Sequence, residues 1–359
     1  MVEYTFDSAL QERAGIEQPS QVNPYLQKRK RRELSVDEFV DGIRRGDRVI
    51  LSRAITLIES VNPEHQRMTQ QVIERCLPYS GNSLRIGITG VPGVGKSTFI
   101  EAFGTHLTSH GKNIAVLAID PSSERSKGSI LGDKTRMEQL SVDPHAFIRP
   151  SPSGSTLGGV ARKTRESIVL CEAAGFDVII VETVGVGQSE TVVKSMVDFF
   201  LLLMLAGAGD ELQGIKRGIM EMADGLIINK ADGDNVIPAD VARTRYQSAL
   251  HLFPKNENGW IVPVATCSAL EHKDIDKVWK IILQFEAQTK SNGFFLKNRN
   301  EQNVKIFYDW INFTLQNDFF NNEKVQQKIE ELLPRVQNGE ITPYKAGTEL
   351  IAWSVSPNL

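Results

Sequence analysis

Disulfide chemistry is the first thing this chain lacks. Its three cysteines among 359 residues, Cys76, Cys171 and Cys267, lie far apart without paired spacing, which excludes a disulfide scaffold and fits a reducing compartment. Charge of one sign is missing too. Lys and Arg number 41 against 44 Asp and Glu, a formal net charge of −3, so nothing global attracts nucleic acid or an anionic membrane. The longest apolar run, Phe199–Ala206, is far shorter than the roughly 20 residues a spanning helix needs and reads as a buried parallel strand. The opening residues, Met1-Val-Glu-Tyr-Thr-Phe-Asp7, show neither a signal-peptide core nor an Arg- and Ser-rich transit pattern. Repeats and low-complexity tracts are absent. The expectation is a cytoplasmic globular protein that engages neither nucleic acid nor membrane. A short basic run, Lys28–Arg32, has no aromatic residues interleaved for base stacking and reads as a solvated face.

Against these absences stands Gly90-Val91-Pro92-Gly93-Val94-Gly95-Lys96-Ser97. It matches the phosphate-binding P-loop pattern in the right setting, with the apolar run Leu84–Thr89 before it and the helical stretch from Ser97 and Thr98 after it. Glycines let the backbone curl until its N–H groups point at an anion, and the helix start adds unpaired donors and a positive dipole end. Lys96 is expected on the β/γ-phosphates and the Ser97 hydroxyl on Mg²⁺. A second motif, Asn229-Lys230-Ala231-Asp232, selects the base. The Asp232 carboxylate can accept from guanine N1–H and the 2-amino group, which adenine does not offer. The Asn229 amide is expected at the O6/N7 edge and the Lys230 stem over the ring. Leaving such polar groups unpaired against the wrong base is costly, so discrimination should be strong. Cys267-Ser268-Ala269-Leu270 ends another apolar stretch, Trp260–Ala265, where small residues let a backbone N–H approach the guanine oxygen.

Three parts follow from the patterning. Residues 1–80 look helical, with a capping-box pattern at Ser35–Glu38 and a helix from Asn62 to before Pro78 that carries Met68, Val72, Ile73 and Cys76 on one stripe. Residues 81–290 alternate strand and helix, with strands expected near 84–89, 113–119, 146–149, 177–182, 199–206, 225–229 and 260–266. Several are continuously apolar, as in a sheet covered on both faces. Residues 291–359 look helical again. Phe307, Trp310, Ile311 and Leu315 recur at helical spacing, as do Val325, Ile329, Leu332, Leu333 and Val336, beyond a polar separator at Gln288–Asn300. Packing on the main domain and a dimer interface are equally good readings of that arm. The fold class is α/β: a P-loop NTPase with a mostly parallel central sheet, flanked by helical extensions at both ends.

In such a sheet the nucleotide sits at the carboxyl ends of the strands. Asp120 and Glu182 fall there, and a carboxylate at either position can hold Mg²⁺ directly or through water. Asp133 and Arg136 lie in Glu124–Met137, a polar segment long enough to fold over a γ-phosphate. Arg136 is a candidate arginine finger, with phosphate-loop contact and surface placement as equal alternatives. Gly185 can offer its N–H to a γ-phosphate oxygen. Val186 stands where small GTPases carry a water-positioning Gln, and Gln188 comes later.

Gly90–Ser97, Asp120-Pro-Ser-Ser123, Gly132–Met137, Glu182-Thr-Val-Gly-Val-Gly-Gln-Ser-Glu190, Gly207–Lys216 and Asn229–Asp232 together resemble the MeaB/ArgK/MMAA group of G3E-type GTPases, over nearly the whole chain. That resemblance implies a chaperone of an adenosylcobalamin-dependent acyl-CoA mutase, chiefly methylmalonyl-CoA mutase, working with GTP or GDP and Mg²⁺. It implies a metal-centred network of Ser97, Asp120, Asp133 and Glu182, and a homodimer formed through the C-terminal arms. It further implies that Gly207–Lys216, with Asp210, Glu211, Gln213 and Lys216, is an extra switch coupling nucleotide state to the mutase. The alternative for that segment is a plain strand-to-helix turn capped by Asp210. The missing Gln leads to the expectation of slow hydrolysis that the mutase accelerates.

Two other functions compete. A nickel-type metal-insertion GTPase should bring Cys/His clusters, and only His106 and His110 stand one helical turn apart. An RNA-associated GTPase lacks a recognisable module. Asp143-Pro-His145 begins like a cobalamin-binding Asp-x-His-x-x-Gly signature, but Ile148 takes the Gly position. A flexible loop is expected at Gly154–Gly159, before a helix at 160–175.

Overall fold

The apolar runs become strands because each can be buried on both sides. The computed structural model describes residues 34–119, 137–150, 157–183, 189–207, 217–254 and 256–355. In chain order the elements are α1 (Val36–Arg44), α2 (Arg48–Glu59), α3 (Pro63–Cys76), β1 (Leu84–Gly90), α4 (Lys96–Ser109), β2 (Ile114–Ile119), α5 (Glu138–Val142) and β3 (Ala146–Arg149). There follow α6 (Leu157–Ala173), β4 (Val178–Thr183), α7 (Ser189–Lys194), β5 (Phe199–Leu205), α8 (Arg217–Met222), β6 (Gly225–Asn229), α9 (Val236–Leu250) and β7 (Val264–Thr266). Four helices close the described chain: α10 (Ile275–Ser291), α11 (Phe294–Phe320), α12 (Glu323–Gln337) and α13 (Pro343–Val355). The basic run Lys28–Arg32 lies outside the described residues.

The strands form one sheet in the order β3-β2-β4-β1-β5-β6-β7, and every ladder is parallel. All residues of β2, β4 and β6 are buried, as continuous apolar strands under helices on both faces require. β1 lies at the centre, between β4 and β5. The chain moves to one side of it through β2 and β3 and to the other through β5, β6 and β7. That reversal opens a crevice at the carboxyl end of β1, where the P-loop emerges.

The leading helices start where their caps dictate. Asp47 accepts from the N–H groups of Val49 and Ile50 at 2.9 and 3.1 Å, and Asn62 accepts from Glu64 N–H at 2.9 Å with Pro63 in the first turn. On α3 the buried stripe is Thr69, Val72 and Cys76, with Met68 and Ile73 half-buried beside it. All three cysteines are free and buried; burial pushes the thiols of Cys76 and Cys267 up to about 11 and about 12.

Three expectations shift. The strand expected at 260–266 shrinks to Val264–Thr266, because Pro263 has no N–H for the ladder and Trp260 serves as a peg, its indole N–H donating to Asp224 O at 2.8 Å. Helix α6 begins at Leu157, so Gly158 and Gly159 sit in its first turn; residues 151–156 lie outside the described residues. The polar separator Gln288–Asn300 is the end of α10 and the start of α11, joined at Gly293 with φ +76. Phe295 and Arg299 there are buried. Beyond Gln302, Val304, Phe307, Tyr308 and Leu315 of α11 are 57–63% accessible, whereas Val325 and Leu332 of α12, and Ile341 and Ala346 after it, are buried. No helix among the described residues is long and apolar enough to cross a membrane.

Candidate nucleotide site

The P-loop closes a tight curl at the end of β1. A Cβ on Gly90 would lie 2.6 Å from Leu203 O of the neighbouring strand, so only glycine lets β1 run against β5 there. Gly95 takes φ +89 at the cap of α4, a left-handed turn that frees the helix's first N–H groups toward an anion. Val94 N–H donates to Val91 O at 3.2 Å and Phe99 N–H to Gly95 O at 2.8 Å. Pro92, Gly93 and Thr98 are exposed, and Ser97 is half-buried.

Lys96 folds back over the loop, its ammonium donating to Gly90 O at 3.0 Å. Burial pulls its pKa below the ordinary lysine value, while the carboxylates of Glu182 and Glu190 work in the opposite direction. Glu182 is 5% exposed near the end of β4, and the adjacent hydroxyls of Thr183 and Thr89 bond at 2.9 Å, joining β4 to β1. Sequence reasoning gave Glu190 no role of its own. It is 1% exposed in the first turn of α7, and only its place at the end of the Glu182–Glu190 motif could have flagged it.

The base-side motifs converge on the same loop through Asn229, which is 1% exposed. Its amide donates to Val94 O at 2.9 Å and its Oδ1 accepts from Ala269 N–H at 3.1 Å and from the Cys267 thiol at 3.5 Å. The Asn229 amide braces the P-loop to the two base-side segments, and the Ala269 N–H, one of the backbone donors of the Cys267–Leu270 segment, is given to Asn229. A buried amide at a strand end must find partners, and these are the nearest. Lys230, with φ 59, sends its ammonium to Gly93 O at 2.8 Å, so its stem bridges the two motifs. Asp232 is half-buried and accepts from the Ser268 hydroxyl, which itself accepts from Glu271 N–H at 3.1 Å. That brace fixes the carboxylate that would meet the base. Leu270 is 75% exposed at the rim.

Asp120, Asp133, Arg136, Gly185, Val186, Gln188, Asp210, Glu211, Gln213 and Lys216 lie outside the described residues. The donors that are described, the Ser97 hydroxyl and the Glu182 carboxylate, are hard oxygens of the kind Mg²⁺ takes, and both belong to or act on the P-loop. His106 and His110 lie with ring centroids 4.4 Å apart and their planes tilted by 45°; among the described residues no group of three or more His, Cys, Asp or Glu could hold a metal.

A family model described as methylmalonyl Co-A mutase-associated GTPase MeaB matches residues 51–324, a span that contains every described part of this site. The chain belongs to the MeaB family of GTPases. GTPase ArgK of Escherichia coli (strain K12) is 47% identical over 311 residues, covering 87% of this chain and 94% of that relative. The methylmalonic aciduria type A homolog of Mus musculus, a mitochondrial protein, is 42% identical over 326 residues, covering 88% of this chain and 79% of its own. A solved protein described as an LAO/AO transport system kinase superposes with a TM-score of 0.73 at 40% identity, covering 90% of this chain and 99% of that one. The MeaB-family chain is thus a P-loop GTPase that hydrolyses GTP, and its P-loop, Asn229 and Asp232 stand in one crevice.

Proposed function

We propose that this GTPase is a chaperone of an adenosylcobalamin-dependent acyl-CoA mutase of the methylmalonyl-CoA mutase type, coupling nucleotide state to delivery or protection of the mutase's cofactor. The supporting observation is membership, over residues 51–324, in a family described by its association with that mutase. Binding begins with Lys96, which exchanges the Gly90 carbonyl for the β/γ-phosphates, where an ammonium offsets charge that builds up during phosphoryl transfer. Mg²⁺, held by Ser97, Glu182, Asp120 and Asp133, would neutralise the β and γ oxygens. Asp232 reads the guanine N1–H and 2-amino group, kept in place by Ser268. Val186 stands where a water-positioning Gln is usual, so intrinsic hydrolysis is slow until the mutase docks. Asp210, Glu211, Gln213 and Lys216 form the coupling switch, and each nucleotide favours a different conformation that the mutase distinguishes. The exposed Phe307, Tyr308 and Leu315 support self-association through the arm, and three free buried cysteines fit a cytoplasmic setting.

Single-turnover GTP hydrolysis with and without the mutase tests this reading, together with co-purification from native extract in the presence of GDP or a non-hydrolysable GTP analogue. Faster hydrolysis and nucleotide-dependent capture of the mutase are expected. Equal rates and no capture overturn the mutase assignment while leaving the GTPase intact.

A further inference from the structure

The ten residues from Ser189 to Asp198 are fastened to the sheet, to the α8–β6 turn, to α6 and to α11. At one end Glu190 is buried in the first turn of α7, which packs against β1 and β4; a Cβ on Gly87 of β1, the strand that runs into the P-loop, would lie 2.7 Å from Val193 and 3.0 Å from Val197. One turn later Lys194 Nζ meets Asp224 Oδ2 at 2.5 Å. The same oxygen accepts the Phe200 N–H at 2.8 Å, and Asp224 closes the turn from α8 into β6. Ser195 Oγ accepts from Arg165 Nη2 of α6 at 2.8 Å. Val197 O accepts from Gln302 Nε2 of α11 at 2.8 Å. Asp198 takes a two-pronged contact from Arg299 of α11, Nε at 2.7 Å and Nη2 at 2.6 Å, and also accepts Arg85 N–H at 2.8 Å. Arg299 is locked in turn, donating to Gly81 O and Ser83 O at 2.6 Å each.

Asp224 and Asp198 are 5% and 3% exposed. A buried carboxylate is tolerable only while its partner stays in place, since removing the partner leaves an uncompensated charge. The joints therefore resist slipping one at a time. Helix α7 has six residues, too few to absorb a displacement between Glu190 and Lys194. Close-packed interiors shift between discrete arrangements and do not stretch smoothly. A change at the phosphate end must either be carried to α8 and α11 or break a buried ion pair.

We propose that Glu190–Asp198 is a relay that makes the occupant of the phosphate site felt at the root of the C-terminal helices, with Lys194–Asp224 and Asp198–Arg299 as its joints and Gln302 as its contact on α11. The proposal rests on the GTP-site reading above. When a γ-phosphate fills the loop at the end of β1, α7, packed on that strand through Val193 and Val197, shifts with it, and the joints pass the shift to the arm.

Linkage supplies the test, because coupling between two places is reciprocal. The full chain and its Gln302→Leu and Lys194→Met variants are titrated with GDP and with a non-hydrolysable GTP analogue, both with Mg²⁺. Hydrogen exchange over residues 294–302 is followed in each state. In the unmodified chain, exchange there should differ between the two nucleotides. In the variants the ratio of the two affinities should change about fivefold or more, and the exchange difference should fade. A purely scaffolding role would lower the melting temperature and leave the ratio alone. Gln302→Leu removes a neutral contact, so it keeps the test open if Lys194→Met does not fold. A ratio within about twofold of the unmodified chain in a folded variant, or no nucleotide-dependent exchange at 294–302 in the unmodified chain, overturns the relay. An unmodified chain that binds neither nucleotide overturns the GTP-site reading, and the relay with it.

Discussion

Replacing Asn229 by Ala separates a brace from a base reader. The wild-type amide sits 1% exposed and satisfies two buried backbone groups, Val94 C=O at 2.9 Å and Ala269 N–H at 3.1 Å. Each buried group left without a partner costs about 1–3 kcal/mol. The two together set an expected loss of about 2–6 kcal/mol, a large share of the roughly 5–15 kcal/mol that holds a domain folded. Thermal melting should drop by about 4–24 °C, taking about 2–4 °C per kcal/mol. Nucleotide affinity should fall at least about tenfold, since about 1.4 kcal/mol spent on reordering the P-loop is a factor of ten. A brace acts on every ligand alike. GDP, 7-deaza-GDP and 6-thio-GDP, the last two each blunting one acceptor of the purine edge, should therefore lose affinity by the same factor in calorimetric titration. If the penalty of Asn229→Ala shrinks more than about threefold with either analogue, the amide reads the base and the argument from its hydrogen bonds fails.

Three further outcomes follow from the same geometry. Lys96→Ala should reduce single-turnover GTP hydrolysis by about 10²-fold or more while the melting temperature moves little, because its one hydrogen bond, to Gly90 O, is replaceable by water but its charge in the transition state is not; near-normal turnover would remove Lys96 from the chemistry. Asp232→Asn should weaken GDP binding and improve binding of the xanthine nucleotide, whose 2-oxo group suits an amide donor, and an unchanged preference in competition titration would refute the base assignment. Glu172 works against its own burial but accepts from Arg85, Ser83 and Gly81, which together hold its pKa below the ordinary 4.5. A depressed carboxylate contributes stability that is present above its unfolded pKa and lost as pH falls through the folded value, so urea midpoints should decline below about pH 4.5 and Glu172→Gln should flatten that decline.

The sheet and its P-loop were legible because glycine spacing and unbroken apolar runs are local signals. Six of the strands lie within a residue or so of their expected bounds. The exception, at 260–266, carried its own warning in Pro263. What sequence could not show is which polar groups meet across distance. The motif marks Asn229 for the base but says nothing of its bracing role, because its partners Val94 and Ala269 stand 135 and 40 residues away. Arg299 read as part of a polar separator, and nothing near it in the chain announces Asp198, 101 residues earlier. Glu190 has an exposed-looking neighbourhood, Ser-Glu-Thr, and only the fold buries it.

Where Arg299 ends up also decides how the gene can be cut. A fragment trimmed after Ser291 would keep every strand and the entire phosphate loop, yet strand Asp198 in a dry interior with no guanidinium to answer it. Stopping after the first three turns of the long helix, past Gln302, keeps that answer and gives up the exposed aromatic stretch together with the last two helices, and the buried Val325, Leu332 and Ile341 go with them. The place to sever head from tail is therefore inside a continuous helix, invisible to any search for a linker.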